Sequence, residues 1–259
     1  MIKAILLDVD GTILSFETHQ IPASALAALQ QVHEKGIKII IATGRAAGDL
    51  REIESVPYDA VIALNGAECY LRDGTLVYNR PISREDFQKA AAIARQYDIA
   101  LALELNDGVF VDQLKPAVVQ VAQMVDHPIP EVVDVEALFD AKGCSQFCFY
   151  CDQEMEKKIM PQLPGLSANR WHPAFTDVNV SGTSKASGLA LIAAYYDIDA
   201  ANTMACGDGG NDIPMLQAAG IGVAMGNASD EVKKHANYVT EPIQNDGLAQ
   251  ALHRFVLKK

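Results

Sequence analysis

Long apolar runs are absent from this chain of 259 residues, and none approaches the roughly 18 consecutive apolar residues that a membrane span requires. The first apolar run has no basic region ahead of it and ends in two aspartates, which indicates a β-strand rather than a secretory signal peptide. With 49% hydrophobic and 21% charged residues, the composition is typical of a soluble globular protein with one large or two medium domains. We therefore expect a cytoplasmic location.

Basic residues are also scarce. The chain has 21 lysines and arginines against 33 aspartates and glutamates, so its formal net charge is −12. Proteins that bind nucleic acid or anionic membranes in a general way depend on basic surfaces. The charge therefore argues against both as partners.

The chain has only five cysteines, and this odd count argues against a disulfide framework. Cys148 and Cys151 have the spacing of a metal-binding or redox pair. They lie in the predicted strand Gln146–Cys151, however, and no matching second pair exists in the sequence. We therefore expect them to be buried strand thiols.

Two aspartates stand at the end of the first apolar run. The segment Asp8-Val9-Asp10-Gly11-Thr12 follows Ile2–Leu7, which has the pattern of a strand buried on both faces. Side chains two residues apart on an extended segment point the same way, so Asp8 and Asp10 can face one small volume. Gly11 permits a sharp turn after them. Paired carboxylates at the end of a strand suit a hard cation and covalent phosphoryl transfer.

Strand and helix patterns alternate at both ends of the chain, which predicts an α/β fold with a doubly wound parallel sheet in residues 1–80 and 182–259. Helices interspersed with hairpin-like strands predict an inserted α+β domain in residues 81–181, a sheet with helices on one face. An insertion explains how motifs at both ends of the chain can form one site. The predicted elements nearest the motifs are strands Ile37–Ala42, Ala60–Leu64 and Thr203–Cys206 and helices Pro22–Lys35, Ala46–Ser55 and Lys185–Tyr196.

Three further polar motifs follow in order. Ligand sites in open parallel sheets lie outside the carboxyl ends of the strands, so polar residues that follow predicted strands are expected to converge. Asp8, Thr43 and Asp208 each fall just after such a strand. The motifs are Thr43-Gly44-Arg45, Lys185 at the start of a predicted helix, and Gly207-Asp208-Gly209-Gly210-Asn211-Asp212.

This ordered set of motifs resembles the haloacid dehalogenase superfamily of phosphatases, and the resemblance covers nearly the whole chain. The segment between Arg45 and Lys185 is the place where the Cof-type branch carries its large α/β cap. The segments Ser15–His19 and Arg170–Val178 are similar to bacterial sugar-phosphate phosphatases of that branch. The resemblance implies hydrolysis of small phosphorylated metabolites, with hexose and pentose phosphates first, through an aspartyl-phosphate and with Mg²⁺.

The resemblance also implies residue roles. Asp8 would be the nucleophile, and Asp10 the general acid and then the general base. The Mg²⁺ ligands would be Asp8, the backbone carbonyl of Asp10, and Asp208. Asp212 would be an alternate ligand or would support the others, and Asn211 would orient the site.

Positive and hydrogen-bonding groups are needed for the transferring phosphoryl group. The hydroxyl of Thr43, the N–H of Gly44 and a following helix N-terminus can bind it. Lys185 would neutralise Asp8 and the phosphoryl oxygens. Two roles remain open for Arg45, which either reaches the substrate phosphate or pairs with an acid.

Candidates for recognising the leaving group lie near the end of the inserted domain. Alternation with valines places Asp177 and Asn179 on one face, where they can hydrogen-bond sugar hydroxyls, and Trp171 can pack against a sugar ring beside His172. The alternative is ordinary packing and polar surface within the domain. Glu104 and Asp112 are weaker candidates. Two other functions also remain open, a sugar-phosphate phosphotransferase or phosphomutase and a non-catalytic regulator that binds sugar phosphates.

Overall fold

The apolar run ahead of Asp8 forms strand β1 (Ala4–Leu7) in a computed structural model that describes residues 1–125 and 127–258. All four residues of this strand are buried. The chain then forms α1 (Ala23–Glu34), β2 (Lys38–Ala42), β3 (Ala60–Ala63), β4 (Glu68–Leu71) and β5 (Leu76–Asn79).

The middle of the chain alternates helices with short strands. Its helices are α2 (Arg84–Tyr97), α3 (Pro116–Met124), α4 (Val135–Lys142) and α5 (Gln153–Ile159). Its strands are β6 (Ala100–Leu105), β7 (Gly108–Val111), β8 (Glu131–Val132), β9 (Phe147–Tyr150), β10 (Leu166–His172) and β11 (Phe175–Val180).

The last part of the chain returns to strands followed by helices. These elements are α6 (Lys185–Tyr195), β12 (Thr203–Gly207), α7 (Ile213–Ala218), β13 (Ile221–Ala224), α8 (Asp230–Lys234), β14 (Tyr238–Val239) and α9 (Gly247–Leu252). The chain divides into two compact units: a core unit, Met1–Tyr78 with Ser184–Lys259, and an inserted unit, Asn79–Thr183. Each boundary of the inserted unit lies two residues outside the bounds 81–181 that the sequence analysis gives.

The core unit contains an eight-stranded sheet in the order β14-β13-β12-β1-β2-β3-β4-β5. The strands from β14 to β3 run parallel, and β4 is antiparallel to β3. Helices cover both faces: Ile5 and Leu7 pack with residues of α1 and α9, whereas Ala4 and Leu6 pack with residues of α6 and α7. The predicted doubly wound α/β fold is confirmed.

The register of this sheet determines where the residues of the sequence motifs lie. Leu7 lies opposite Ile41 on one side and Cys206 on the other. Parallel strands in register end at the same edge, so the residues that follow β1, β2 and β12 leave the sheet together.

The inserted unit has a six-stranded sheet in the order β10-β11-β9-β6-β7-β8. Its pairs are antiparallel except for β7 and β8, which run parallel. The predicted inserted α+β sheet domain is confirmed, but its helices are not confined to one face. Helices α2, α4 and α5 pack against Leu101 and Leu103, whereas α3 packs through Val118 and Val121 against Ala100 and Ala102.

Two local predictions differ from the structure. The segment Ala46–Ser55 contains only a 3₁₀ turn at Arg51–Ile53 instead of a helix. Gly48 lies early in that segment and costs about 1 kcal/mol in a helix interior relative to alanine. Strand β10 was not predicted, because its side chains between Ser167 and His172 are half-buried and mostly polar, as befits a strand at the edge of a sheet.

Among the residues that the structure describes, no helix combines the length and apolar character that crossing a bilayer would demand. All five cysteines are buried and free, so the expectation of buried thiols at Cys148 and Cys151 is confirmed.

Candidate active site

The residues that follow three parallel strands form the candidate site in the core unit. Asp8 follows β1, Thr43 follows β2, and Asp208 follows β12. The backbone N–H of Asp8 donates to the carbonyl of Cys206 at 3.0 Å, so the sheet register continues up to this carboxylate. The short strand β1, which is buried on both faces, thus fixes the position of Asp8 at its carboxyl end.

Lys185 is the central cation of the site. It opens helix α6, whose N-cap Ser184 forms a reciprocal capping box with Ser187. Its Nζ donates to Oδ1 of Asp8 at 2.6 Å and to Oδ1 of Asp212 at 2.6 Å, and the side chain is only 1% exposed. Burial disfavours the ammonium, but the charges of Asp212 and Asp8 outweigh this and raise the pKa of Lys185 above its ordinary value.

Asp212 supports both Lys185 and the loop after β12. This carboxylate is fully buried, and its Oδ2 accepts hydrogen bonds from the N–H groups of Asp208 at 2.9 Å and Gly209 at 2.8 Å. A Cβ at Gly207 would lie 2.5 Å from the Asp212 carboxyl carbon, so glycine is required for this close approach. The acidic loop is therefore built around one of its own side chains.

The carboxylate of Asp208 accepts hydrogen bonds from two residues to which the sequence analysis assigned no role. The hydroxyl of Thr12 donates to its Oδ1 at 3.1 Å, and Nδ2 of Asn227 donates to its Oδ2 at 3.2 Å. Gly11 has φ +83°, and a Cβ there would lie 2.2 Å from Oδ2 of Asp208. Asn227 comes soon after β13, so the rule that polar residues follow parallel strands could have found it.

Three carboxylates of the site could hold a metal ion. Asp8, Asp208 and Asp212 each place an oxygen so that the three atoms lie within 4.8 Å of one another. Burial, and then the charge of Asp212, raise the pKa of Asp8 well above its usual range despite Lys185. The same two causes raise the pKa of Asp208 to about 7. One ammonium thus does not balance these carboxylates, and the cluster attracts further positive charge.

The carboxylate of Asp10 does not join this cluster but pairs with Arg45. Nε of Arg45 donates to Oδ2 of Asp10 at 2.9 Å, and Nη2 donates to Oδ1 at 2.6 Å. Burial disfavours the guanidinium, but the hydrogen bond and charge of Asp10 keep the pKa of Arg45 above its ordinary value. Of the two roles left open for Arg45, the structure shows pairing with an acid.

Thr43 and Asn211 contact backbone and amide groups near the carboxyl ends of the parallel strands. Oγ1 of Thr43 accepts a hydrogen bond from the backbone N–H of Arg45 at 3.1 Å, across the intervening Gly44. Nδ2 of Asn211 donates to Oδ1 of Asn65 at 2.9 Å. Asn65, which the sequence analysis missed, is buried soon after β3 with φ 55°. A left-handed residue other than glycine is uncommon, and such strain clusters at functional sites.

The inserted unit places its predicted residues in two groups. Asp177 and Asn179 are both buried in β11. Sγ of Cys148 lies 2.6 Å from Oε1 of Glu104 and 3.2 Å from Oδ1 of Asp177, and these three residues form a second group that could hold a metal ion. Asn179 donates to the carbonyl of Ser145 at 3.0 Å.

Trp171 and His172 form an aromatic group with Phe175. The Trp171 and Phe175 rings meet edge to face with centroids 4.9 Å apart, and Nδ1 of His172 accepts from the N–H of Ala174 at 3.2 Å. These contacts lie within the inserted unit and fit the alternative of ordinary packing.

Comparisons with known proteins identify the family of this chain. Residues 5–252 match the haloacid dehalogenase-like hydrolase family. The structure is similar to that of BT1666 from Bacteroides thetaiotaomicron, a phosphatase of the haloalkanoate enzyme superfamily, with 61% sequence identity, a TM-score of 0.94 and coverage of 98% of this chain and 95% of the other.

Two further relatives are similar over almost their full length. BT4131, a subclass IIB sugar phosphatase, has 36% identity and a TM-score of 0.91, with 98% of both chains covered. The 5-amino-6-(5-phospho-D-ribitylamino)uracil phosphatase YcsE of Bacillus subtilis is 28% identical over 262 residues, 99% of this chain and 96% of the relative. The chain belongs to the haloacid dehalogenase-like hydrolase family and is a phosphatase.

Proposed function

We propose that this haloacid dehalogenase-like phosphatase hydrolyses small sugar phosphates with Mg²⁺, through an aspartyl-phosphate on Asp8. The observation that carries the proposal is the buried ammonium of Lys185, which contacts Asp8 and Asp212 at 2.6 Å each beside the unbalanced carboxylate of Asp208. This arrangement places fixed positive charge beside the carboxylate that would act as the nucleophile toward an anionic phosphate ester.

The donor set fits Mg²⁺. Its candidate ligands are carboxylate oxygens, which hard cations prefer, and the three oxygens lie within 4.8 Å of one another. Burial and the neighbouring carboxylates disfavour the ionised forms of Asp8 and Asp208 and so raise their pKa values, and the positive charge of a divalent cation would favour the ionised forms. We propose Asp8, the carbonyl of Asp10, and Asp208 as ligands, with Asp212 as an alternate ligand or support. When bound, Mg²⁺ would supply positive charge to the phosphoryl oxygens.

In the first step the carboxylate of Asp8 attacks phosphorus. Lys185 holds Oδ1, so we assign the attack to Oδ2. The new O–P bond forms as the bond from phosphorus to the sugar oxygen breaks. Asp10 gives its proton to that leaving oxygen, which departs as the sugar alcohol.

In the second step water attacks the phosphorus of the aspartyl-phosphate. Asp10, now ionised, takes the proton of that water. The bond between phosphorus and Asp8 breaks, which releases inorganic phosphate and restores the carboxylate of Asp8. The same residue therefore acts as acid and then as base, and Asp8 ends unchanged.

The transferring phosphoryl group needs donors because the chain itself carries a net charge of −12. We assign this task to Lys185, the hydroxyl of Thr43, the N–H of Gly44 and the side chain of Asn211. The Thr43 hydroxyl accepts one hydrogen bond from Arg45, which leaves its own proton to donate.

The substrate class rests on two lines of support. BT4131, which is similar over 98% of both chains, is a sugar phosphatase. The inserted unit also buries carboxylate and amide groups, Asp177 and Asn179, of the kind that hydrogen-bond sugar hydroxyls. We propose these two residues, with Trp171 and His172, as determinants of leaving-group preference.

Phosphate release from a panel of hexose, pentose and nucleotide monophosphates, with and without Mg²⁺, tests this function. We expect Mg²⁺-dependent release that is fastest with sugar phosphates, and no activity with Ca²⁺, whose larger and looser shell spoils in-line geometry. Full activity after exhaustive chelation would rule out the metal. Transfer of the phosphoryl group to another sugar position without free phosphate would indicate a mutase, and binding without turnover would indicate a regulator.

A further inference from the structure

The side chain of Arg45 forms a two-point fork on the carboxylate of Asp10. Nε and Nη2 each donate to a different oxygen, at 2.9 and 2.6 Å. Paired N–H···O bonds of this kind fix the plane of the carboxylate as well as its distance. An aspartate outside such a fork can rotate about two side-chain bonds.

The third corner of the guanidinium is also held. Nη1 donates to the carbonyl of Asp49 at 3.4 Å and to Oε2 of Glu52 at 3.3 Å. The Arg45 side chain is 12% exposed. All three nitrogen atoms therefore point at protein oxygens, which directs the cation toward Asp10 and its own loop.

The backbone of Arg45 is anchored on both sides. Its N–H donates to Oγ1 of Thr43 at 3.1 Å, and its carbonyl accepts from the N–H of Leu64 at 3.0 Å. Leu64 has φ 49°, an unusual conformation for a bulky residue. The fork on Asp10 is thus attached to a backbone that is tied to two neighbouring strand ends.

The fork leaves an acceptor site open on each carboxylate oxygen of Asp10. A carboxylate oxygen has two acceptor sites, and Arg45 occupies one on each oxygen. The Asp10 side chain is 19% exposed, so the remaining sites are accessible.

We infer that Arg45 is a positioning residue that orients Asp10 for both proton transfers, and that it is not a ligand of the substrate phosphate. This inference rests on the proposed function, because the orientation matters only if Asp10 acts as acid and base. A lysine at this position keeps the positive charge but offers a point contact instead of a planar fork.

The test compares Arg45→Lys and Arg45→Ala with the wild-type enzyme and with Arg51→Gln, an exposed arginine outside the site, as the control. For each enzyme we would measure kcat and KM on a sugar phosphate, the time course with p-nitrophenyl phosphate, and the inhibition constant of inorganic phosphate. General acid–base catalysis contributes about 10²–10⁴-fold, so loss of orientation in Arg45→Lys is expected to lower kcat by about 10–100-fold.

The inhibition constant of inorganic phosphate is expected to stay at its wild-type value in Arg45→Lys. The time course should show a burst of nitrophenol equal to the enzyme concentration, since that leaving group needs little protonation whereas hydrolysis of the phosphoenzyme still needs an oriented base. Added ethylguanidinium should restore part of the kcat of Arg45→Ala. Arg51→Gln should behave as the wild type.

Two results would overturn the inference. An inhibition constant for phosphate that rises as much as kcat falls would assign Arg45 to the substrate. A wild-type kcat in Arg45→Lys would mean that the fork is dispensable. Failure of the proposed function is a separate outcome, because the wild-type enzyme would then release no phosphate from any ester.

Discussion

Nζ of Lys185 lies 2.6 Å from Oδ1 of Asp212, a carboxylate with no exposed surface. This pair joins the start of helix α6 to the loop that carries Asp208, because the other oxygen of Asp212 accepts two backbone N–H groups of that loop. Residues separated by 27 positions are thereby locked into one unit. The geometry of the site and the stability of the core unit therefore depend on the same contact.

Lys185→Met should abolish turnover and destabilise the protein. Removing one member of a buried ion pair leaves an uncompensated charge and typically costs about 3–5 kcal/mol. Urea unfolding followed by circular dichroism would measure this loss. The double variant Lys185→Met with Asp212→Asn should be more stable than Lys185→Met alone, because it no longer contains the unpaired buried carboxylate of Asp212. Equal stability of the two would mean that Asp212 is not stabilised through Lys185.

Asp8→Asn should remove turnover and leave the fold intact, because an amide is nearly isosteric but is a poor nucleophile. Burial and neighbouring carboxylates raise the pKa of Asp8 in spite of Lys185, so loss of this charge should leave the Tm of the metal-free protein unchanged or higher. Phosphate release and thermal unfolding would be measured together. Asp230→Asn, at an exposed position of α8, is the control. Near-normal turnover of Asp8→Asn would exclude it as the nucleophile.

Without divalent cations the protein should lose stability as the pH rises. The pKa of Asp208 is raised from the ordinary 3.8 to about 7, so between these values the folded protein keeps a proton that the unfolded chain has lost. The contribution of Asp208 to the free energy of unfolding therefore falls across this interval and levels off above it. Thermal unfolding in a chelating buffer would show a falling Tm. Asp208→Asn should make this fall less steep, and an equally steep curve in that variant would contradict the assignment.

Asp10→Asn should slow both half-reactions, and the loss expected for a general acid–base group is about 10²–10⁴-fold. With p-nitrophenyl phosphate the first step needs little protonation, so phosphorylated enzyme should accumulate on Asp8. Intact-protein mass spectrometry after rapid acid quenching would detect it. If no phosphoenzyme could be trapped, and turnover were equally slow for good and poor leaving groups, Asp10 would not act in both steps.

Asp177→Ala should lower kcat/KM for sugar phosphates far more than for p-nitrophenyl phosphate. A site built to hydrogen-bond hydroxyl groups penalises any loss of its polar partners, whereas an aryl leaving group offers no such hydroxyls. Both substrates would be assayed on one preparation at saturating Mg²⁺. Equal losses would assign Asp177 to the chemistry or the fold, and its contact with Cys148 would then be the relevant one.

The fold and the location of the site at the carboxyl ends of the strands could be predicted because both depend on local sequence patterns. Runs such as Ile37–Ala42 can be buried on both faces only in a parallel sheet under two layers of helices. The position of Asp8, Thr43 and Asp208 then follows from the rule that ligands bind at the carboxyl ends of strands. Lys185 was found through the order of the motifs, since a lysine on a helix is in itself unremarkable.

The partners of these residues could not be predicted, because they depend on how loops far apart in sequence approach each other. Both roles of Arg45 suited a cation beside Thr43, and its pairing with Asp10 is visible only in the orientation of its side chain. Asn227 contacts Asp208 across 19 positions, and Asn65 contacts Asn211 across 146. Strand β10 has little alternation of apolar and polar residues, so the sequence gives only a weak signal for its pairing with β11.

The central position of β1 in the sheet has a consequence for folding during synthesis. Its neighbour β12 begins at Thr203, so one side of the first strand stays unpaired until about 200 more residues have been made. At 5–20 residues per second this wait lasts about 10–40 s on the ribosome. During that time β1 presents an apolar ribbon with open backbone groups, a template for wrong pairing. Shielding of β1 until β12 has been made would prevent such pairing.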